Sequence, residues 1–266
     1  MICNTHFYLL PLLRVGNAGI FISMNTETAH NIYKNTAVII VAGGSGTRIG
    51  TDLPKQFLYL DNKPILAHTL QKFRELFPTD HIITVVAESM TEYWLSECRK
   101  LGIDPGPLAM GGSSRWESVK NGIAAVNTPG IKYLLVHDAA RPFVTTRVIK
   151  DIVEALANGH QGAIPVVNLT DSIRQITPTG SVPVDRSALR AVQTPQGFQA
   201  DKLAAAFSLP YRPEFTDEAT MMQVAGFNDI ALTQGDEANI KITRPLDLQI
   251  AHLLINNNAR PEDIRH

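Results

Sequence analysis

A glycine-rich segment followed closely by two basic side chains is the feature of this sequence with the clearest chemistry. The apolar residues 37–41 lead into A-G-G-S-G at residues 42–46, and Arg48 and Lys55 follow shortly afterwards. Glycines let a backbone approach a phosphate closely, and arginine and lysine supply positive charge that backbone amides lack. The spacing therefore predicts a loop that binds a polyphosphate, in a protein that handles nucleotides.

Two common phosphate-binding motifs do not fit this segment. A Walker A loop ends in Gly-Lys-Ser/Thr, whereas threonine and arginine follow Gly46 here. The dinucleotide fingerprint G-x-G-x-x-G opens a helix, but the third glycine of this sequence is Gly50, one position late, and Pro54 disfavours a helix before it. The segment is interpreted as another kind of phosphate loop, with a plain tight turn as the alternative.

A second polar cluster follows the strand-like residues 133–136 and reads H-D-A-A-R. A carboxylate such as Asp138 at the end of a strand can hold magnesium, which prefers oxygen ligands and substrate phosphates. A structural pair between Asp138 and Arg141 is the alternative. For His137, a packed and hydrogen-bonded role is favoured over that of a catalytic base.

Weaker signals come from a predicted helix start after residues 111–115 (G-G-S-S-R), from Thr216, which precedes another helix, and from Lys241 on a predicted strand at 239–242. Helix starts favour anions through their free amides, with capping as the alternative. No nucleophilic triad or transition-metal spacing stands out in the sequence. A reaction that needs only positioning and charge neutralisation, as phosphoryl-type transfers do, suits such a set.

Strand-like and helix-like segments alternate along most of the chain, which predicts an α/β protein with a Rossmann-like, mostly parallel twisted sheet and helices on both faces. Ligands bind outside the carboxyl ends of such strands, so the loops at 43–50, 111–115 and 137–141 should meet at one edge. Between about 166 and 198 the alternation is replaced by a β-hairpin arm. An isolated hairpin is marginally stable, so the arm needs a partner surface, in its own domain or in a second subunit.

Composition and chain ends bound the class of protein. The chain has 266 residues and a net charge of −1, which argues against a non-specific nucleic-acid binder. Cys3 and Cys98 fit no zinc or redox motif and favour a cytoplasmic setting. We expect a single domain over 36–258, a short tail at 259–266, and a leader at 1–35 that is disordered or untranslated. The leader fits poorly as a signal peptide, and Met24 is an alternative start.

Taken together, the motifs resemble those of the 2-C-methyl-D-erythritol 4-phosphate cytidylyltransferase family over about residues 36–255. In chain order they read V-A-G-G-S-G-T-R-I-G, L-P-K-Q-F, G-G-S-S-R-W-E-S-V-K-N-G, V-H-D-A-A-R-P-F, V-D-R-S with Q-T-P-Q-G-F, T-D-E-A, and N-I-K-I-T-R-P-L-D-L. The resemblance implies magnesium-dependent transfer of CMP from CTP to methylerythritol phosphate, in the non-mevalonate isoprenoid pathway, by a homodimer.

The resemblance also implies a role for individual residues. The implied catalytic residues are Arg48, Lys55 and Lys241. Those implied to contact CTP are Ala42, Gly43, Gly44, Gly46, Gly112 and Ser118. Those implied to lie around the acceptor or the triphosphate are Asp138, which also approaches magnesium, Arg141, Ser172, Thr194 and Thr216. Arg186 is implied to reach the acceptor phosphate from the neighbouring subunit's arm.

Two departures from the family pattern keep alternatives open. The loop is A-G-G-S-G where many members have A-A-G-x-G, a pattern shared with pentitol-phosphate cytidylyltransferases. Ser172 stands where threonine is commoner, in a segment that is longer than usual, so Thr170 could make that contact. The nearest alternative is a ribitol-5-phosphate cytidylyltransferase. A dinucleotide-binding oxidoreductase and a non-catalytic nucleotide-binding regulator are the other two.

Overall fold

The computed structural model describes residues 13–15, 20–22, 32–44 and 53–256. Its strands are β1 Leu13–Val15, β2 Ile20–Ile22, β3 Thr36–Ala42, β4 Tyr59–Leu60, β5 Lys63–Pro64, β6 Ile82–Val86, β7 Leu108–Met110, β8 Tyr133–Asp138, β9 Gly162–Asn168, β10 Ile173–Thr177, β11 Gly180–Val184, β12 Arg190–Val192, β13 Gln196–Gln199 and β14 Ile230–Gln234. Its helices are α1 Ile65–Arg74, α2 Glu88–Leu101, α3 Arg115–Ala124, α4 Thr146–Ala157, α5 Ala200–Ala206, α6 Glu218–Val224 and α7 Pro245–Asn256.

One eight-stranded sheet organises the chain, in the order β12-β9-β13-β8-β3-β6-β7, with β14 also paired to β9. Neighbours are parallel from β8 through β3 and β6 to β7, and β14 is parallel to β9. β13 runs antiparallel between β8 and β9, a strand that the sequence reading did not separate from the arm. The expected α/β class with a mostly parallel sheet is confirmed.

The central strand β3 shows why helices cover both faces. Its apolar residues alternate between the two faces, as the period of a strand requires. Val38 and Ile40 pack in a buried cluster with side chains of α1, α2 and α4, whereas Ala37 and Ile39 pack with side chains of α3, α5 and α6. A strand that is buried on both faces reads as one continuous apolar run, which is how this strand was recognised.

The arm is smaller than the sequence suggested. β10 and β11 pair only with each other among the described strands, from Ile173 opposite Val184 to the turn, and Ile176 is 80% exposed. The segments on either side, β9 and β12, pair with each other in the main sheet. The protruding part is therefore residues 169–189 rather than 166–198.

One predicted strand is absent from the described structure. Residues 239–242 form no strand, so the expectation that Lys241 lies on one is wrong. The backbone instead makes single contacts with the loop after β8: the N–H of Ile242 donates to the carbonyl of Ala140 at 2.9 Å, and the Arg141 guanidinium donates to the carbonyl of Asn239 at 2.8 Å. Isolated contacts of this kind hold a loop in place without a strand ladder.

Of the leader and the tail, the structure describes little. β1 and β2 form a short antiparallel pair. Met24 and the tail at 259–266 lie outside the described residues, and so does most of the leader, for which disorder was expected. Within the described residues, no helix combines the length and the apolar character needed to cross a membrane.

Candidate active site

A cavity of about 720 Å³ opens at the carboxyl ends of β3 and β8. It lies at the sheet edge where ligands of parallel α/β sheets bind, and the three predicted loops contribute to it as far as they are described. Eight residues that the sequence pointed to line it: Ala42, Gly43, Gly44, Lys55, Gly112, Ser118, Asp138 and Lys241.

One wall is formed by the glycine segment packed against the start of α3. A Cβ atom on Gly43 would lie 2.8 Å from Ser118 Oγ, and one on Gly112 would lie 2.3 Å from Glu117 Cγ, so a side chain at either position would force Ser118 or Glu117 to shift. Ser118 Oγ accepts a hydrogen bond from the N–H of Gly112 and donates to the carbonyl of Ser114, at 3.0 and 2.9 Å. This wall is thus held together before any ligand binds.

The cavity lining also contains a buried carboxylate that three cations contact. Asp138 is 7% exposed. Its Oδ2 lies 2.8 Å from Lys241 Nζ and 3.5 Å from Arg141 Nε, and its Oδ1 lies 3.3 Å from Arg115 Nε. Burial by itself would raise the pKa of Asp138, but Arg115, Lys241 and Arg141 together outweigh it and hold that pKa well below its ordinary value. Asp138 is therefore ionised, and it gathers positive charge at the cavity.

A second buried carboxylate supports the first through Arg115. Glu218 at the start of α6 is 1% exposed, and its two oxygens accept from Arg115 Nη1 and Nη2 at 2.5 and 3.1 Å. No motif in the sequence indicates this pair. Capping accounted for the acidic helix start, and Asp217 does cap it, accepting from the N–H of Thr220 at 2.9 Å. Nothing local indicates that Glu218 meets Arg115, because the two are 103 positions apart.

His137 and Thr194 hold the backbone beneath Asp138. The N–H of Asp138 donates to Thr194 Oγ1, and Thr194 Oγ1 in turn contacts His137 Nδ1, both at 3.1 Å. His137 Nε2 contacts the carbonyl of Arg141, which can only accept, so Nε2 carries the proton and Nδ1 accepts from the threonine. Burial lowers the pKa of His137 to about 3. The expected packed, hydrogen-bonded role of His137 fits this geometry.

None of the remaining predicted residues that the structure describes lines the cavity of this chain. Ser172 and Arg186 belong to the protruding arm and are exposed, with Arg186 donating to the carbonyl of Thr170. Thr216 is exposed just before α6 and does not line the cavity. Thr194 is buried beneath the cavity floor rather than facing it. Arg48 and Gly46 lie outside the described residues.

Metal binding has limited protein support here. Among the described residues, no three His, Cys, Asp or Glu side chains group together in a way that could hold a metal ion. Asp138 is the only carboxylate among the described residues that line the cavity, and its oxygens already contact cations. Magnesium commonly takes one or two carboxylates and completes its shell with substrate phosphates and water. The site therefore fits a magnesium ion that arrives with a polyphosphate, and not a dedicated protein cage.

Comparisons with known proteins identify the family to which this chain belongs. The family model described as 2-C-methyl-D-erythritol 4-phosphate cytidylyltransferase (IspD) matches residues 36–257. A protein of that name from Bacteroides thetaiotaomicron is 43% identical over 220 residues, covering 82% of this chain and 99% of the relative. One from Phocaeicola vulgatus is 41% identical, covering 83% of this chain and 100% of the relative.

Solved structures give the same answer. The Francisella tularensis 2-C-methyl-D-erythritol 4-phosphate cytidylyltransferase is similar with a TM-score of 0.66 at 31% identity, covering 82% of this chain and 99% of that one. The 4-diphosphocytidyl-2C-methyl-D-erythritol synthase of Anaerococcus prevotii has a TM-score of 0.72 at 22% identity, covering 86% and 99%, and supports the fold alone. This chain belongs to the 2-C-methyl-D-erythritol 4-phosphate cytidylyltransferase family.

Proposed function

We propose that this protein transfers CMP from CTP to 2-C-methyl-D-erythritol 4-phosphate, giving 4-diphosphocytidyl-2-C-methyl-D-erythritol and pyrophosphate. The observation that carries the proposal is the cavity itself: the glycine backbone at Gly43 and Gly44 and the basic residues Lys55 and Lys241 line one space at the carboxyl edge of the sheet. Family membership supplies the identity of the two substrates.

The chemistry is a direct displacement at the α-phosphorus of CTP. An oxygen of the acceptor phosphate forms the new P–O bond, and the bond between the α-phosphorus and the bridging oxygen breaks, so that pyrophosphate leaves with the electron pair. Lys55, and Arg48 by family resemblance, would neutralise the charge that develops on the phosphoryl oxygens. Lys241, which contacts Asp138 in the described cavity lining, would neutralise charge near the acceptor phosphate.

A covalent enzyme intermediate is not needed, and the hydroxyls along the described cavity wall support direct transfer. Ser113 Oγ donates to Glu117 at 2.7 Å, and Thr243 Oγ1 donates to Asp247 at 2.8 Å. Ser114 caps α3, and Ser118 ties that cap to Gly112. With these hydroxyls engaged locally, positioning of the two substrates is the main contribution of the wall.

We propose magnesium as the cofactor, with Asp138 as its protein ligand and the nucleotide phosphates as the remaining anionic ligands. When bound, the ion would neutralise phosphate charge and orient the triphosphate. Lys241 Nζ lies 2.8 Å from Asp138 Oδ2, so Lys241 would add positive charge beside the ion.

We further propose a homodimer in which the arm completes the partner's site. Arg186 and Ser172 are exposed on a hairpin that makes no strand pairing with the main sheet of its own chain. An isolated hairpin of this size is marginal in water, so a second subunit would both stabilise it and receive its arginine.

We place the enzyme in the cytoplasm, where Cys98 would persist as a buried thiol; burial raises the pKa of that thiol to about 11.

Pyrophosphate release from CTP and magnesium, measured in parallel with methylerythritol phosphate and ribitol 5-phosphate, tests the function. We expect turnover with the first acceptor and little with the second. Lys55→Ala should lower kcat by about 10²–10³-fold, the usual effect of losing one charge-stabilising group, with an unchanged circular dichroism spectrum.

The other outcomes separate the competing functions. Preference for ribitol 5-phosphate would replace the acceptor, and CTP binding without turnover on either acceptor would favour the non-catalytic regulator. Binding of NAD(H) without CTP would favour the oxidoreductase.

A further inference from the structure

Gln56 connects two parts of the cavity wall that lie on either side of residues 45–52 in the sequence: the glycine segment and the turn that contains Lys55. Its side-chain Nε2 lies 2.6 Å from the carbonyl oxygen of Ala42 and 2.9 Å from that of Gly44. Both partners are carbonyls, which only accept, so the amide nitrogen and not its oxygen faces them. One side chain therefore uses both of its N–H donors on the backbone where β3 ends and the glycine segment begins.

The base of this side chain is held rigidly. Gln56 is 3% exposed, in the one-turn 3-10 helix Lys55–Phe57. The next residue, Phe57, is fully buried, with its ring centroid 5.6 Å from that of Tyr93 and 6.3 Å from that of Trp94 on α2. Packing of Phe57 in the core thus fixes the backbone from which the amide of Gln56 reaches the glycine segment.

We propose that Gln56 is a positioning residue for the transfer reaction, holding the carbonyls of Ala42 and Gly44 at a set distance from Lys55. This inference rests on the proposed function, because Lys55 matters only if it acts on the nucleotide phosphates. The glycine segment and Lys55 line the same cavity from the two ends of residues 45–52. A shift of about 1 Å between such groups can cost two orders of magnitude in rate.

A purely structural role for Gln56 makes a different prediction, and the chain contains a matched control. Gln199, at the end of β13, also donates from one amide nitrogen to two carbonyls, those of Gly159 and His160, at 3.2 and 3.1 Å. It does not line the cavity. Replacing either glutamine with methionine removes two amide-to-carbonyl hydrogen bonds at similar side-chain volume, and at Gln199 it also removes the acceptor for Lys202 Nζ.

The experiment measures steady-state pyrophosphate release and thermal unfolding for wild type, Gln56→Met, Gln199→Met, Lys55→Ala and the double variant of Gln56 and Lys55. We expect Gln56→Met to lower kcat by about 10- to 100-fold, with the KM for CTP changed less than about threefold. Gln199→Met should keep wild-type kcat. Gln56→Asn, which retains both donors on a shorter stem, should fall between wild type and Gln56→Met, and it replaces the methionine variant if that one does not fold.

The double variant decides between positioning and general stabilisation. If Gln56 acts through Lys55, removing it from the Lys55→Ala protein should cost less than about a further threefold, because residues that act as a unit are non-additive. A full, multiplicative loss would overturn the inference, as would wild-type kcat in Gln56→Met. Absence of turnover in the wild-type enzyme would instead refute the proposed function.

Discussion

The charge cluster around Asp138 and the hairpin arm differ in how they hold their positively charged side chains. In the cluster, Asp138 and Glu218 are buried and hold Arg115, Arg141 and Lys241 through ion pairs within one chain. In the arm, Arg186 is exposed at the base of a two-stranded hairpin. The first arrangement is complete in one chain, whereas in the proposed homodimer the second would be completed by the partner subunit.

Because the cluster is buried and the arm is exposed, substitutions in the two regions should affect folding stability and activity differently. A buried carboxylate that loses its charge leaves its cationic partners uncompensated in a poorly solvated place, which is costly. An exposed arginine is solvated with or without its partner and contributes little to folding. Substitutions in the cluster should therefore affect both folding and turnover, and those in the arm should affect turnover alone.

The largest effect is expected from Asp138→Asn. Removing one member of a buried charge group typically costs about 3–5 kcal/mol, and Lys241 would lose its anchor at the cavity. The free energy of unfolding in urea and kcat should both fall. Asp151→Asn is the matched control, because Asp151 pairs with Arg147 at 3.0 Å on a half-exposed face of α4, and should cost about 1 kcal/mol or less. Equal losses in the two variants would contradict the view of Asp138 as the centre of the cluster.

Arg186→Ala should lower kcat/KM for the acceptor by about 10- to 100-fold, since a hydrogen bond to a charged group contributes roughly 1.5–3 kcal/mol. The unfolding temperature should not change. Arg174→Ala, which removes an exposed arm arginine bonded to Ser181, should leave kcat/KM unaltered.

Mixed dimers sharpen this second prediction. Co-expressed Arg186→Ala and Lys55→Ala chains should regain activity, because in the heterodimer one site combines Lys55 of one chain with Arg186 of the other. With random pairing in a two-fold dimer, about a quarter of all sites would be intact. If each arm served its own chain, no site in the mixture would be intact and activity would stay near that of the separate variants.

A pH-dependent effect concerns His137, beneath the cluster. Its pKa falls from the ordinary 6.5 to about 3 on folding, so between these two pH values the unfolded chain binds more protons than the folded one. The stability contributed by the neutral ring is therefore fully present above about pH 6.5 and is lost as pH falls toward 3. Urea unfolding between pH 4 and 7 should show a shallower decline for His137→Gln than for wild type.

Much of the architecture could be predicted from local patterns. The continuous apolar run of β3, the glycine turn after α2 at Gly102 and the capping serine of α3 are local signals, and the structure agrees with each. The placement of three loops at one edge followed from the parallel sheet. Two strand assignments were wrong. Residues 239–242 form no strand, and β13 was missed because its four residues, Gln-Gly-Phe-Gln, show no clear period.

By itself, the sequence determined the α/β class, the edge of the sheet at which the cavity opens and the family. Only the tertiary structure decided which charges neutralise one another. Arg115, Asp138, Glu218 and Lys241 come from four separate segments, and Gln56 reaches carbonyls 12 and 14 positions away. Periodicity and turn chemistry depend on a few neighbouring residues. Burying an unpaired charge or amide is costly, and the group that pairs with it can come from any segment that packing brings into contact.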